Sequence, residues 1–449
     1  MSESSTRSAA VVLLLVLLVV ATGAPGLATN PRRGPLGGLS IHGSGSADPP
    51  VPLVGWTQFA PHRSPPPTAG GASMAWDPVD GYLVLFGGCT SGDFWLSDCQ
   101  PTNATWTFNG NNWSQLSEPV APPARFYSSL VWDSADQYLL LFGGNGTGSA
   151  GLIGDTWTFV HGSWTQLHPA VAPSARAAAS MSYDAYDGYV LLFGGETSRH
   201  LVNAATNSYT GTDGGDSWKF SSGVWSPLQP TRSATPVDSM ATAYVSESSS
   251  VVIEGGFAWT ASSDLRTTWS YSAGAWTEEA TASGSEQPIA RNSAAFADDP
   301  ARGFGILFGG HFGGNTMNDT WQYTNGTWTP APSFGTSPSP RWGSSFAYDP
   351  QVGCVILFGG YNWNPVYYND TWAYGADCHP YYPSNSSEGG SGWGGLLLPI
   401  LLVIAVAVAI GAGAFLLKSK RSPQRPADEA ETDPHEPPEA PNPPEEPGS

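Results

Sequence analysis

Residues 82–88 read Tyr-Leu-Val-Leu-Phe-Gly-Gly, an apolar run that stops on a glycine pair. The same ending returns at Gly143-Gly144, Gly194-Gly195, Gly255-Gly256, Gly309-Gly310 and Gly359-Gly360, at intervals of 50 to 61 residues. Downstream of each pair stands a Thr/Ser-Trp-x-aromatic segment: Trp106 with Phe108, Trp157 with Phe159, Trp218 with Phe220, Trp269 with Tyr271, Trp321 with Tyr323 and Trp372 with Tyr374. Strand alternation puts both aromatics of a pair on one face. A repeat of this length, made of short strands, corresponds to one β-propeller blade per interval. The expected fold is all-β, with six blades.

Seven residues after the first five of these tryptophans stands another, at Trp113, Trp164, Trp225, Trp276 and Trp328, with a glycine between. A tight hairpin accounts for the spacing. If Asn325-Gly326 forms a primed two-residue turn, Tyr323 faces Trp328 across the strands. The sixth repeat lacks the second tryptophan, whereas residues 55–58 read Gly-Trp-Thr-Gln and match the missing strand. An N-terminal strand is therefore expected to close the ring, leaving no sheet edge open.

Composition agrees: 54 Gly, 40 Pro and 19 Trp with only 12% charged residues describe many strands and turns. A net charge of −20, with three lysines among 17 basic residues, excludes a nucleic-acid partner.

The flanks read as export and anchoring. Arg7, the apolar run 9–21 and the small residues Gly23 and Ala24 have the layout of a signal peptide over residues 1–24. Arg32 and Arg33 leave an uncleaved anchor as the alternative. A linker, 25–54, leads to the propeller, 55–378, and a Ser- and Gly-rich stalk, 379–395. Residues 396–417 are apolar and uncharged, about 33 Å as a helix, enough to cross a bilayer as a single pass. Lys418, Lys420 and Arg421 follow, which places the acidic, Pro-rich tail 418–449 in the cytoplasm and the propeller outside the cell membrane. Four cysteines in an exported chain imply two disulfides out of three connectivities, and the local pairs Cys89 with Cys99 and Cys354 with Cys378 are expected. Glycosylation sequons occur at Asn103, Asn112, Asn145, Asn318, Asn325, Asn369 and Asn385.

Gly-Gly, a spacer, Asp-Thr-Trp-x-aromatic, Gly-x-Trp-x-x-Leu and Pro-x-x-Arg together resemble the kelch repeat over roughly 320 residues. Arg125, Arg176, Arg291 and Arg341 each stand 18 residues before their Gly-Gly, while Ala69 and Val237 break the pattern in blades one and four. The resemblance implies a six-bladed ring related to the galactose-oxidase-like copper enzymes. The eight histidines show no ligand spacing and local disulfides use every cysteine, so neither metal nor cofactor is expected.

Trp76-Asp77, Trp132-Asp133, Tyr183-Asp184 and Tyr348-Asp349 read as turn aspartates bonding nearby backbone amides. The arginines read as struts paired to the Asp before Trp157, Trp321 and Trp372, rather than as anion binders. Glu254 takes a slot filled by Phe86, Phe142, Phe193, Phe308 and Phe358 elsewhere. It either marks a ligand or ion site or lies solvated in a locally open blade, the latter favoured.

The loops after each Gly-Gly share one ring face with the connections between blades, and 196–215 is the longest. They carry the candidate ligand-binding aromatics Trp95, Trp259, Phe312, Tyr361, Trp363, Tyr367 and Tyr368, which either stack on a partner or pack beneath their own loops. No catalytic set is apparent. The expected function is extracellular recognition or adhesion toward a protein or glycan; the alternatives are an extracellular oxidase or glycan-processing enzyme and a passive envelope glycoprotein.

Overall fold

The computed structural model describes residues 54–379, apart from 62–64, 68–69, 92–98, 147–150, 204–207, 281–285, 333–334, 364–365 and 377. The signal segment, stalk, apolar run 396–417 and acidic tail lie outside them. Among the described residues no helix is long and apolar enough to cross a membrane.

Blade one shows how the repeat folds. Ser73–Asp77, Tyr82–Phe86, Thr105–Phe108 and Trp113–Gln115 pair antiparallel in sequence order, from the ring axis outward. The second strand is apolar throughout because both its faces are covered: Leu83 and Leu85 point into a core shared with blade six, Val84 and Phe86 into one shared with blade two. Six such cores lie between successive blades, each drawing from two sheets. Five sheets are built from consecutive strands. The sixth joins Ser345–Asp349, Cys354–Phe358 and Thr371–Ala376 to the N-terminal Val54–Phe59. Trp56 faces Tyr374 and Gln58 faces Trp372, the register that the other outer tryptophans share with their own aromatics. Asn325 and Gly326 both have positive φ, 45° and 79°, and Tyr323 sits opposite Trp328. The primed turn and the strand closure are thus both present.

Each outer tryptophan also ties its blade to the preceding one. Trp164 Nε1 donates to Thr105 Oγ1 at 2.9 Å, Trp225 to Thr156, Trp276 to Ser217, Trp328 to Thr268, Trp56 to Thr320 and Trp113 to Thr371. The circuit returns to its start, so a buried indole donor is satisfied at every seam.

The arginines are struts, as expected. Arg341, fully buried, donates to both carboxylate oxygens of Asp370 and to the Gly359 carbonyl, and Arg125, Arg176 and Arg291 repeat this with Asp155, Asp216 and Asp319. These contacts hold the four carboxyls below the ordinary range despite their burial. The same aspartates accept from Trp157, Trp218, Trp321 and Trp372 Nε1. Blades one and four lack Arg and Asp together, having Ala104 and Thr267 in the Asp slot. There Trp106 and Trp269 Nε1 are buried without a hydrogen-bond partner.

Asp77, Asp133, Asp184 and Asp349 are turn aspartates. Asp349 Oδ1 accepts from the amides of Gln351 and Val352, at 2.9 and 3.3 Å. Both expected disulfides are formed, with Cα separations of 5.7 Å for Cys89–Cys99 and 6.0 Å for Cys354–Cys378.

Glu254 is not solvated in an open blade, which corrects the favoured expectation. It is 2% exposed, and its Oε2 accepts from Thr268 Oγ1 at 2.5 Å while Thr268 accepts from Trp328. Phe296 packs on Trp328 where a phenylalanine from strand two packs in the other seams, leaving the Glu254 slot free for a polar relay. Burial pushes the Glu254 carboxyl up to about 7, against the pull of Thr268, Arg291 and Arg266.

Candidate functional site at the ring axis

After each Gly-Gly the chain reaches the face that also carries the connections between blades. The first residue beyond the pair makes a short antiparallel bridge with a residue just before the inner strand of its own blade: Asn145 with Phe126, Glu196 with Ala177, Phe257 with Asp238, His311 with Asn292 and Tyr361 with Trp342. The bridge is possible because the second glycine has positive φ, 91° at Gly195. Three of the long loops then rise as small hairpins, Glu196–Asn203 with Ser208–Asp213, Phe257–Ala258 with Ser263–Asp264 and His311–Phe312 with Asn315–Thr316.

Immediately inside these bridges six residues circle the axis: Gly71, Tyr127, Ala178, Ser239, Ser293 and Gly343. All have left-handed φ, between 51° and 68°. Each amide donates to the carbonyl of the residue one blade back, at 2.7–3.0 Å, and Gly71 closes the loop onto Gly343. For the four non-glycine members this conformation costs on the order of 1 kcal/mol each, and it persists because the closed ring holds it.

On the loop side of this ring, Trp342, Phe126, Tyr127, Glu196, Arg199, Ser239 and Ser293 line a cavity of about 30 Å³. Beneath it the axial channel is lined by small side chains, Ala72, Ser128, Ala179, Ala294 and Ser344 among them, and holds about 140 Å³.

The cavity has an aromatic wall and a charged wall. Trp342 and Tyr361 rings lie 4.0 Å apart, Tyr367 stacks on Tyr361 at 5.6 Å, and Trp363 lies 6.1 Å from Trp342 and 4.9 Å from His311. Trp342 and Tyr361 are buried, whereas Trp363 is 42% exposed. Opposite, Arg199 Nε donates to Glu196 Oε1 at 2.6 Å. Asp238 and Asp213 lie beside them, and Asp213 Oδ2 accepts from the Trp259 amide at 2.8 Å. Burial, then the Glu196 charge, raises Asp238 well above its ordinary value, and burial raises Asp213 too. Burial likewise raises Glu196 and lowers His311. Asn292 Nδ2 donates to Asp264 Oδ1 at 2.5 Å.

Of the candidate aromatics, Tyr361, Trp363 and Tyr367 are brought together here. Tyr368 lies beneath the Arg341 guanidinium at 4.0 Å, and Trp259 packs on the blade-three hairpin at Gly211. Phe312 is 40% exposed on the blade-five hairpin, and Trp95 lies outside the described residues. Glu254 is inside a blade. Glu196, Arg199, Asp213, Asp238, Tyr127 and Trp342 were not singled out from the sequence. A signal was available, because the residue after each Gly-Gly and the residue after each arginine slot, filled by Val237 in blade four, repeat in register, and Glu196, Asp238 and Trp342 occupy those positions.

Among the described residues no group of three or more His, Cys, Asp or Glu side chains is placed to hold a metal ion.

The ring and its closure define a six-bladed β-propeller. No family model matches the chain, and no curated protein matches it. Among solved structures 322 chains match it. The structure of YjhT aligns with a TM-score of 0.50 at 14% identity, covering 69% of this chain and 95% of that one. That likeness shows the fold, which alone carries no activity.

Proposed function

We propose that this protein is an exported, membrane-anchored recognition module of kelch type whose axial cavity binds a carbohydrate. One observation carries the reading: Trp342, Tyr127, Ser239, Ser293 and the Glu196–Arg199 pair line a single cavity at the propeller axis. A sugar presents C–H faces and hydroxyls that both donate and accept. Aromatic faces take the first, and a carboxylate beside a guanidinium takes the second. At about 30 Å³ the cavity admits one hydroxyl-bearing arm, about the space of one water. The sugar ring then lies over the mouth, against Trp363.

Two disulfides suit the oxidising side of a membrane, and the apolar run 396–417 with its basic flank supports the anchor. Recurrent Arg–Asp struts and Gly-Gly joints support the kelch assignment.

The test is a glycan panel against the full-length protein in detergent, followed by titration of any hit. Trp363→Ala and Glu196→Gln should each weaken binding at least about tenfold. A panel without hits, or hits indifferent to both substitutions, refutes the reading. A second reading, chemistry on the bound sugar, is favoured by the neighbouring Asp213 and Asp238 carboxyls, both raised by burial. Incubation of a bound glycan with the protein, followed by product analysis, separates the two.

A further inference from the structure

The sequons divide the ring. Asn103, Asn318 and Asn369 occupy one equivalent position, two residues before the threonine that opens the third strand, in blades one, five and six. Those blades are consecutive: Trp56 of blade six bonds Thr320 of blade five, and Trp113 of blade one bonds Thr371 of blade six. All three asparagines are exposed. The sequon threonines Thr105, Thr320 and Thr371 are required there in any case, as acceptors for the tryptophan of the next blade. What varies between blades is the residue in the asparagine slot.

In the other half that slot cannot take an asparagine so readily. Blades two and three place Gly154 and Gly215 there, and a Cβ would come within 2.9 Å of Ala175 Cα and 2.8 Å of Pro236 Cγ. Blade four places Arg266, whose Nε donates to the Pro288 carbonyl. A further exposed sequon, Asn325, sits in the outer hairpin of blade five, again in the first half. Asn145, in blade two, is half-buried; its amide and carbonyl both pair with Phe126.

We propose that Asn103, Asn318, Asn325 and Asn369 carry N-linked glycans, so that the sector of blades five, six and one is coated and that of blades two to four stays bare. The donor class is an oligosaccharide activated as its lipid phosphate. The asparagine Nδ2 bonds to the anomeric carbon, the carbon–oxygen bond to the phosphate breaks, the lipid phosphate departs, and the amide releases one proton. The bare sector carries the Glu196–Asn203 hairpin and the charged wall of the axial cavity, and so keeps them open to large partners.

This rests on the export reading, and the experiment separates the two. The full chain is made in a glycosylating host, free thiols are alkylated on lysis, and peptides are analysed by mass spectrometry. Oxidised Cys354–Cys378 with glycans on the four exposed asparagines, and little or none on Asn145, is the expected result. Each Asn→Gln substitution should remove one glycan mass, and those at Asn103, Asn318 and Asn369 should leave the thermal midpoint of the deglycosylated protein unchanged. Oxidised cysteines with bare asparagines overturn the proposal while sparing export. Free thiols with bare asparagines overturn export and the proposal with it. Occupancy of Asn145 equal to the others overturns the one-sided coat.

Discussion

Glu254→Gln should remove a defined part of the protein's pH-dependent stability. Glu254 is 2% exposed and held by Thr268, with its carboxyl pushed from 4.5 up to about 7 by burial. A folded-state value above the unfolded one means that this group stabilises the fold fully below about pH 4.5 and loses that contribution as pH rises through about 7. The span between 4.5 and about 7 corresponds to about 3 kcal/mol at about 1.4 kcal/mol per tenfold. Glutamine keeps an oxygen for the Thr268 hydroxyl and has no charge to bury. Urea unfolding of both proteins from pH 4.5 to 8.5 gives the difference in stability at each pH, in which every other titrating group cancels. That difference should shift by about 3 kcal/mol in favour of the variant toward high pH. Parallel curves for the two proteins would refute a buried, neutral-in-acid Glu254.

The turn aspartates should act in the same direction. Burial raises Asp349 to about 6, so Asp349→Asn, which keeps the Oδ1 acceptor, should flatten the loss of stability between about pH 4 and pH 6. Arg341→Ala removes a fully buried guanidinium from Asp370 and from the Gly359 and Ser339 carbonyls, and should cost about 3 kcal/mol in urea unfolding. Asp370→Asn, with its carboxyl partly solvated, should cost less. Trp56→Ala in the closing strand should cost about 3–5 kcal/mol, comparable to Trp113→Ala in blade one, because the two indoles fill equivalent seams and bond equivalent threonines. A much smaller loss at Trp56, read by thermal unfolding, would mean that the ring does not depend on its N-terminal closure.

The ring was legible because its determinants are local and repeated. Glycine pairs, Trp-x-aromatic strands and a spare Gly55-Trp56 segment are each visible without knowing what packs on what. The axial site was less legible because it draws residues from five blades, spread from Phe126 to Trp342, so that no short window of sequence contains it. Attention to loop aromatics found Tyr361, Trp363 and Tyr367, which share one loop. It passed over Glu196, Asp238 and Trp342, whose meaning comes from register across blades. Glu254 stood out as an exception to the repeat, but its solvation could not be read locally: Phe296, from the inner strand of the next blade, is what packs on Trp328 in its place.

The six-membered amide circuit around Gly71, Tyr127, Ala178, Ser239, Ser293 and Gly343 sets a limit on what the axis can recognise. Its peptide dipoles run head to tail around a circle, so their transverse components cancel, and every amide proton is already engaged by a neighbouring carbonyl. Unlike a helix terminus, this backbone presents no free donors to an anion at the centre. Selectivity there is left to the side chains planted above it, and a few substitutions at those positions could redirect the propeller to another ligand while its frame stays as it is.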